Sequence, residues 1–230
     1  MISNYNKSYF KKRDSLDLPL ANILKDLIKK TNSKKILDVG CGTGKLVKYL
    51  QNHKIDAYGV DNSKIALKAA RQKNKVKNLS LASATKLPFK NAAFDFLCAI
   101  STIEHLNKND SREFLKEARR VLKKNGHLFM VTPNYASPMR YLAGANWFAY
   151  KDPTHINFYT PKKLSNILLK LDFKNPIVKF RVSYIPHFDK QFPKPFSKLP
   201  RTVKKALVQL LFDSQAAIVR DSFWILAQKK

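Results

Sequence analysis

Three glycines at alternate positions, Gly40, Gly42 and Gly44, are the residues of this 230-residue chain whose spacing best suits ligand binding. They follow a short apolar run at 36–39 and precede an apolar-periodic segment, so they predict a strand, a tight turn and a helix. Such a turn brings main-chain N–H groups close to a nucleotide-like ligand, and a Cβ would block that approach. The third glycine comes one residue too early for the G-x-G-x-x-G of a dinucleotide site.

Two aspartates flank the glycine turn along the chain and indicate the charge of its ligand. Asp38 ends the first strand, where a carboxylate would repel a pyrophosphate but suits a cationic ligand. Asp61 follows a second apolar run at 55–60, and a carboxylate at such a strand tip can accept hydrogen bonds from both ribose hydroxyls. The alternative is a helix N-cap, although Asn62 or Ser63 can cap while Asp61 binds.

The string D-V-G-C-G-T-G at 38–44 resembles the first motif of the class I S-adenosylmethionine-dependent methyltransferases. Later segments are similar to the small-molecule and glycan-modifying members of that family. The resemblance implies S-adenosyl-L-methionine as cofactor, a ligand with a sulfonium and an ammonium group. The cofactor contacts that it implies in and after the turn are those of Asp38, Gly40, Cys41, Gly42, Gly44, Asp61 and Asn62.

Two further segments extend the resemblance to the adenine and methionine ends of the cofactor. Residues 83–89, S-A-T-K-L-P-F, are similar to the family's D-A-x-x-L-P-F, whose aspartate bonds the adenine amino group. Ser83 stands in place of that aspartate, with Ala84 beside it, and the resemblance implies that its hydroxyl can still bond adenine, more weakly. Ser101 begins S-T-I-E-H-L, which resembles the segment that faces the methionine portion. No metal is expected, because metal-binding relatives carry a glutamate where Ser101 stands.

Two histidines are the candidates for acid–base chemistry. His105 follows Glu104 in the S-T-I-E-H-L segment. His155 lies in an aromatic stretch at 135–160 that resembles the region where family members build the substrate pocket. A side chain that titrates near neutral pH can take a proton from an acceptor hydroxyl or amine. The alternative for both histidines is structural, since each can tie its loop to a neighbouring element.

The order of the predicted elements indicates an α/β fold. Strands are predicted at 36–39, 55–60, 78–82, 94–100, 127–132, 176–185 and 222–227. Helices between them imply a Rossmann-like, doubly wound, mostly parallel sheet, with ligands beyond the carboxyl ends of its strands. The resemblance implies seven strands, the last one antiparallel between the fifth and the sixth. One helix is expected from a cap at Asp110 or Ser111 to Asn125-Gly126.

The chain is interpreted as one domain, 1–230, with two additions. An N-terminal helical cap occupies 1–33 and is expected near the cofactor mouth. A Pro-rich, basic insertion at 186–221 contains an amphipathic run at 203–212. Such a helix can lie on an anionic membrane surface, and the alternative is a lid over the substrate mouth.

Charge and cysteine content limit the partners and the compartment. The formal net charge is +28 and the pI is about 10.1, which favours anionic partners such as RNA or acidic lipid. The alternative is a lysine-rich composition without a functional meaning. Two cysteines are too few for a disulfide framework, and no signal peptide or membrane-spanning run is found. A cytoplasmic protein is expected, with peripheral membrane contact as an alternative.

The expected reaction is methyl transfer by direct displacement to oxygen or nitrogen of a small-molecule, sugar or lipid-linked acceptor. RNA methylation is the alternative that the charge suggests. Against it, no N-P-P-[YF] signature follows the fourth strand. A third hypothesis, supported by Ser83, is an S-adenosylmethionine-binding protein without catalysis.

Overall fold

The computed structural model describes residues 15–181, 198–204, 206 and 221–230. In these residues a single sheet contains β1 Lys35–Val39, β2 Asp56–Asp61, β3 Leu79–Leu81, β4 Phe94–Ile100, β5 Leu122–Pro133, β6 Phe173–Arg181 and β7 Ser222–Lys229. The strand order is β3-β2-β1-β4-β5-β7-β6. The pairs β1–β2, β1–β4, β2–β3 and β4–β5 are parallel, and β7 is antiparallel to both β5 and β6. The predicted seven-stranded sheet and the place of its last strand are therefore confirmed.

The helices lie on both faces of this sheet, as the alternating order predicts. They are α1 Leu18–Lys30, α2 Lys45–Asn52, α3 Lys64–Gln72, α4 Lys108–Val121, α5 Met139–Ala143 and α6 Pro161–Lys170. The first three cover one face and pack Leu24, Val47 and Leu67 against it. On the other face α4 and α6 bury Phe114 and Leu164. None of the helices in the described ranges has the length and apolar character needed to cross a bilayer.

Side-chain caps set several helix starts. Ser63 accepts a hydrogen bond from Ala66 N at 3.2 Å and caps α3, which confirms the expected capping role at 62–63. Thr160 caps α6 through Lys163 N, with Pro161 in the first turn as expected.

The predicted bounds of α4 are wrong at both ends. Asn107, rather than Asp110 or Ser111, caps the helix by accepting a hydrogen bond from the main-chain N–H of Asp110 at 2.9 Å. The helix stops at Val121 because Leu122 is extended and pairs with Phe94 of β4. Pairing with the sheet thus ends the helix before the Asn-Gly stop signal at 125–126. As a result β5 begins at Leu122 instead of at 127.

Several predictions fall on residues that the structure does not describe. β6 begins at Phe173 instead of 176, and residues 182–185 of its predicted span lie outside the described ranges. Residues 1–14 of the N-terminal cap lie outside them as well. Of the 186–221 insertion, only 198–204, 206 and 221 are described, and 201–204 and 206 are helical. The predictions of a lid and of membrane contact therefore remain predictions.

Candidate functional site

A cavity of about 850 Å³ opens beyond the carboxyl ends of β1, β2, β4 and β5. Its volume suits a ligand of cofactor size. All but one of the residues expected in the site line it. They are Asp38, Gly40, Cys41, Gly42, Asp61, Asn62, Ser83, Ala84, Ser101, His105 and His155. Leu16, Leu20 and Ala21, in and before α1, also face the cavity.

The glycine turn forms the floor of this cavity next to β1. Gly40 and Gly42 have left-handed φ values of 78° and 52°, which favour glycine. The main-chain N–H groups of Gly40 and Cys41 donate to Val60 O at 2.8 and 3.0 Å, which joins the turn to β2. A Cβ on Gly40 would lie 2.4 Å from Thr102 Oγ1. The turn therefore needs glycine both for its backbone and for its close approach to the tip of β4.

Gly44 differs from the expectation, since it does not line the cavity. It precedes α2 with φ 73°. A Cβ there would lie 3.0 Å from Val76 Cγ2 and 3.2 Å from the Cβ of Ala70. The third glycine thus permits close packing of the turn against α3 and the loop after it, and contact with a ligand is not needed to explain it.

Asp61 ends β2, with its carboxylate held in place by the backbone. Its Oδ2 accepts from Gly42 N and its Oδ1 accepts from Ser63 N, both at 2.8 Å. Burial raises the pKa of Asp61 above its ordinary value, and these backbone N–H groups limit the rise. Backbone N–H groups of Gly42, Asn62 and Ser63 leave part of the carboxylate's acceptor capacity unused, so the group can still accept a hydrogen bond from a ligand in the cavity.

Asp38 is a buried carboxyl group at the other side of the turn. Its side chain is 4% exposed, and Cys98 Sγ donates to its Oδ1 at 3.6 Å. Burial raises its pKa to about 7, and the nearby Asp61 adds to the rise. A cation in the cavity would stabilise the ionised form. The position of Asp38 beside the glycine turn could be predicted from the sequence, whereas its burial could not.

The loop that carries Ser83 and Ala84 is held by two residues of α4 that sequence reasoning missed. Arg120 donates to Leu87 O at 3.0 Å and to Phe89 O at 2.8 Å, and it pairs with Glu117 at 2.6 Å. Glu117 in turn accepts from Leu87 N at 2.7 Å. The hydroxyl of Ser83 bonds Thr85 at 2.8 Å and is exposed at the cavity wall.

Glu104 lies deep in the other half of the cavity, beyond β4 and β5. It is 1% exposed, and burial raises its pKa to about 7. Thr132 of β5 donates to Glu104 Oε2 at 3.1 Å. The other oxygen, Oε1, is buried and has no hydrogen-bond partner among the described residues. An unsatisfied buried acceptor is costly, so this oxygen indicates a place where a ligand donates a hydrogen bond or a cation sits.

The two histidines meet in this half of the cavity, with their ring centroids 4.7 Å apart. His105 Nδ1 lies 2.9 Å from Thr154 Oγ1 and 3.2 Å from Thr154 O. His155 Nδ1 lies 2.8 Å from Ala149 O, and its Nε2 lies 3.6 Å from Asp152 Oδ2. Glu104, His105 and His155 each offer a ligand-type atom within 4.8 Å of the others, so they can share a proton or a cation.

Aromatic side chains support the loop that brings His155 to the cavity. Trp147 is fully buried, packs against Phe148, Tyr150 and Phe158, and its Nε1 donates to Asp221 at 3.4 Å. Phe148 and residues 151–156 line the cavity. The aromatic stretch at 135–160 thus supplies one wall of the same cavity as the glycine turn.

The cavity is acidic although the chain is strongly basic. Among the described residues, six acidic side chains line it, namely Asp17, Asp38, Asp61, Glu104, Asp110 and Asp152. Only two lysines, Lys45 and Lys151, do so. As far as the described residues form its lining, the interior of the cavity favours neutral or cationic groups over phosphates.

Comparisons with known proteins bear on the family of this chain. The model of a family described as a methyltransferase domain matches residues 37–130. An uncharacterized protein of Methanocaldococcus jannaschii is 30% identical over 178 residues, which cover 76% of this chain and 82% of that protein. The ubiquinone biosynthesis O-methyltransferase of Pelagibacter ubique is 35% identical over 122 residues, or 49% of this chain. This chain spans about half (50%) of that relative's length.

A solved structure shows the same fold. The SAM-dependent methyltransferase from Archaeoglobus fulgidus superimposes with a TM-score of 0.68 at 20% sequence identity. The match covers 98% of this chain and 100% of that chain. At 20% sequence identity this similarity establishes the architecture of the fold, but it does not indicate which acceptor is methylated.

Proposed function

Because this chain belongs to the class I S-adenosylmethionine-dependent methyltransferases, we propose that it methylates an oxygen or nitrogen of a neutral or cationic small molecule. Sugar and lipid-linked acceptors fall within this class. One observation carries the proposal: a single cavity has the glycine turn and Asp61 at one end and the cluster of Glu104, His105 and His155 at the other. S-adenosyl-L-methionine would supply an electrophilic methyl group there. Since the reaction is a displacement, the main task of the chain is to align the acceptor atom with the methyl carbon and the sulfur of the cofactor.

The cofactor half has groups that fit the ligand's chemistry. In the proposal, Asp61 accepts hydrogen bonds from the ribose hydroxyls while backbone N–H groups hold its carboxylate in place. Asp38 faces the positively charged part of the cofactor. Gly40 lets the turn lie close to Thr102, since a Cβ there would clash with that side chain, and this keeps the turn at the edge of the cavity. Ser83 and Ala84 lie at the adenine end.

The acceptor half supports a small molecule over RNA. A nucleic acid would bring phosphates to a cavity whose described lining includes Asp110 and Asp152, and Coulomb repulsion opposes that. The unsatisfied Glu104 Oε1 favours an acceptor with a hydrogen-bond donor next to the methylated group. Phe148 and the half-exposed Ile156 supply apolar contact for the rest of the acceptor. The Pelagibacter ubique relative, a ubiquinone biosynthesis O-methyltransferase, also supports a small-molecule acceptor.

The test is transfer of a radiolabelled methyl group from S-adenosylmethionine into the small-molecule and RNA fractions of one lysate. We expect label in the small-molecule fraction, strongly reduced for Asp61→Asn and unchanged for the control Asp56→Asn, whose side chain is exposed on β2. Label confined to RNA would contradict the acceptor class. No label anywhere, with intact binding of S-adenosylhomocysteine, would favour a binding protein without catalysis.

A further inference from the structure

We infer that His105 is the general base of this reaction, that Thr154 and Asp152 position it, and that the acceptor is therefore a hydroxyl compound. The inference rests on the proposed methyl transfer and deepens it. A hydroxyl must lose its proton as its oxygen attacks, so a base next to the methyl group accelerates the reaction. A neutral amine attacks with its own lone pair before it loses a proton, so a base beside the reacting atom accelerates attack by a hydroxyl more than attack by a neutral amine.

The first step concerns the hydroxyl proton of Thr154. Asp152 Oδ1 lies 3.0 Å from Thr154 N and 2.5 Å from Thr154 Oγ1. A main-chain N–H can only donate, so Oδ1 acts as an acceptor. The single proton of the Thr154 hydroxyl is then donated to the same oxygen. Asp152 is 6% exposed, and burial strengthens such a bond.

The second step fixes the tautomer of His105. Because the Thr154 hydroxyl proton is used, Thr154 Oγ1 can only accept from His105 Nδ1, at 2.9 Å. The carbonyl oxygen of Thr154, which can only accept, also lies 3.2 Å from Nδ1. Both contacts require a proton on Nδ1. In the neutral ring the basic lone pair is therefore on Nε2, and the ring lines the cavity.

His155 is arranged differently and is less suited to be the base. Its Nδ1 donates to Ala149 O at 2.8 Å. Its Nε2 faces Asp152 Oδ2 at 3.6 Å, and both side chains are nearly buried, at 9% and 5% exposure. Because Nδ1 donates to Ala149 O, Nε2 can attract the Asp152 carboxylate only when the ring carries both protons, and a doubly protonated ring cannot accept a further proton.

The proposed step balances as follows. The acceptor O–H proton passes to His105 Nε2 while the oxygen lone pair forms a bond to the methyl carbon. The carbon–sulfur bond breaks, and sulfur keeps its electron pair, which gives S-adenosylhomocysteine. The His105 imidazolium then returns its proton to solvent, with Nδ1–H still bound to Thr154.

The direct test is the tautomer of His105, read from long-range ¹H–¹⁵N spectra of the full chain with S-adenosylhomocysteine bound and with the ring neutral. The signals are assigned with His105→Gln. We expect a protonated Nδ1 in the wild type, a raised Nε2–H population in Thr154→Val, and the wild-type pattern in Thr154→Ser. A wild-type Nε2–H tautomer, or a Thr154→Val spectrum identical to the wild type, would overturn the inference.

The kinetic test uses a panel of phenols and alkyl glycosides against primary amines of matched size. We expect transfer to hydroxyl compounds, a loss of kcat of about 100-fold or more in His105→Gln, and a loss of about five- to tenfold in Thr154→Val. Thr154→Ser should recover most of the rate, and binding of S-adenosylhomocysteine should stay within about twofold in all three variants. Transfer to amines alone would overturn the inference but leave the proposed function intact.

A second result would have the same two consequences: a chelator abolishes methyl transfer and an added divalent cation restores it. His105 would then be a metal ligand and not the base. Failure to bind S-adenosylhomocysteine overturns the proposed function itself.

Discussion

Replacing Asp38 by asparagine should raise the free energy of unfolding of the ligand-free protein and lower its affinity for the cofactor. Asp38 is buried, and its pKa rises from an ordinary 3.8 to about 7. A rise of about three pH units corresponds to up to about 4 kcal/mol of lost stability once the group is ionised in both states. Asparagine keeps an oxygen that can accept from Cys98 and carries no charge.

The sign of this effect sets its pH dependence. Between about pH 4 and 7 the unfolded chain has released the Asp38 proton and the folded chain has not. Wild-type stability therefore falls through this range as the pH rises, and it levels off above about pH 7. The gain from Asp38→Asn should be near zero at about pH 4 and up to about 4 kcal/mol at about pH 8.

The assay is urea denaturation of the wild type and Asp38→Asn across this pH range, together with calorimetric titration of S-adenosylhomocysteine. Asp56→Asn, on the exposed start of β2, is the matched control and should show neither effect. We expect at least about a tenfold loss of affinity in Asp38→Asn, since the ammonium group loses a charged partner. Wild-type affinity should also weaken below about pH 7 as Asp38 becomes protonated. An Asp38→Asn protein that is less stable than the wild type at about pH 8 would refute the reasoning.

Three other perturbations test separate parts of the structure. Gly40→Ala should cost about 2 kcal/mol or more in urea denaturation and abolish S-adenosylhomocysteine binding, because its Cβ would lie 2.4 Å from Thr102. Gly144→Ala is also at positive φ but has open space around it, so backbone strain alone should cost about 1–3 kcal/mol and S-adenosylhomocysteine should still bind, whereas loss of binding in both variants would argue against the crowding. Arg120→Gln should destabilise the chain by about 2 kcal/mol because it frees the loop carbonyls of Leu87 and Phe89, whereas Arg112→Gln, exposed on α4, should be neutral. Methyl transfer should vary little with added salt, while a steep loss of transfer between low and moderate salt would indicate a nucleic-acid acceptor.

The sheet and the cofactor half of the site could be predicted because their patterns are local. The alternation of apolar runs and helical segments fixes the parallel sheet, and the carboxyl ends of its strands meet at one edge. Asp38, Asp61, Ser83 and Ser101 each follow or end a strand, so they line the same cavity. The same reasoning gives no packing detail, which is why it placed Gly44 on the ligand instead of against α3.

The acceptor half could not be predicted because its contacts join distant parts of the chain. His105 and Thr154 are 49 residues apart, and their hydrogen bond depends on how the aromatic loop folds over β5. The hydrogen bonds from Arg120 to the carbonyl groups of the loop at 87–89 likewise require α4 to pack beside that loop. The acidic lining of the cavity could not be predicted from the net charge of +28, because the net charge sums over the whole chain and does not show which residues line a cavity.

Calorimetric titration of the full chain with S-adenosylmethionine tests the central claim most directly. We predict saturable binding at a single site, a loss of at least about tenfold in a folded Asp61→Asn variant, and no loss in Asp56→Asn. NAD⁺ should give no binding heat, because Asp38 and the early third glycine disfavour a pyrophosphate. Binding of NAD⁺ in place of S-adenosylmethionine, or equal affinity in the wild type and Asp61→Asn, would contradict the account.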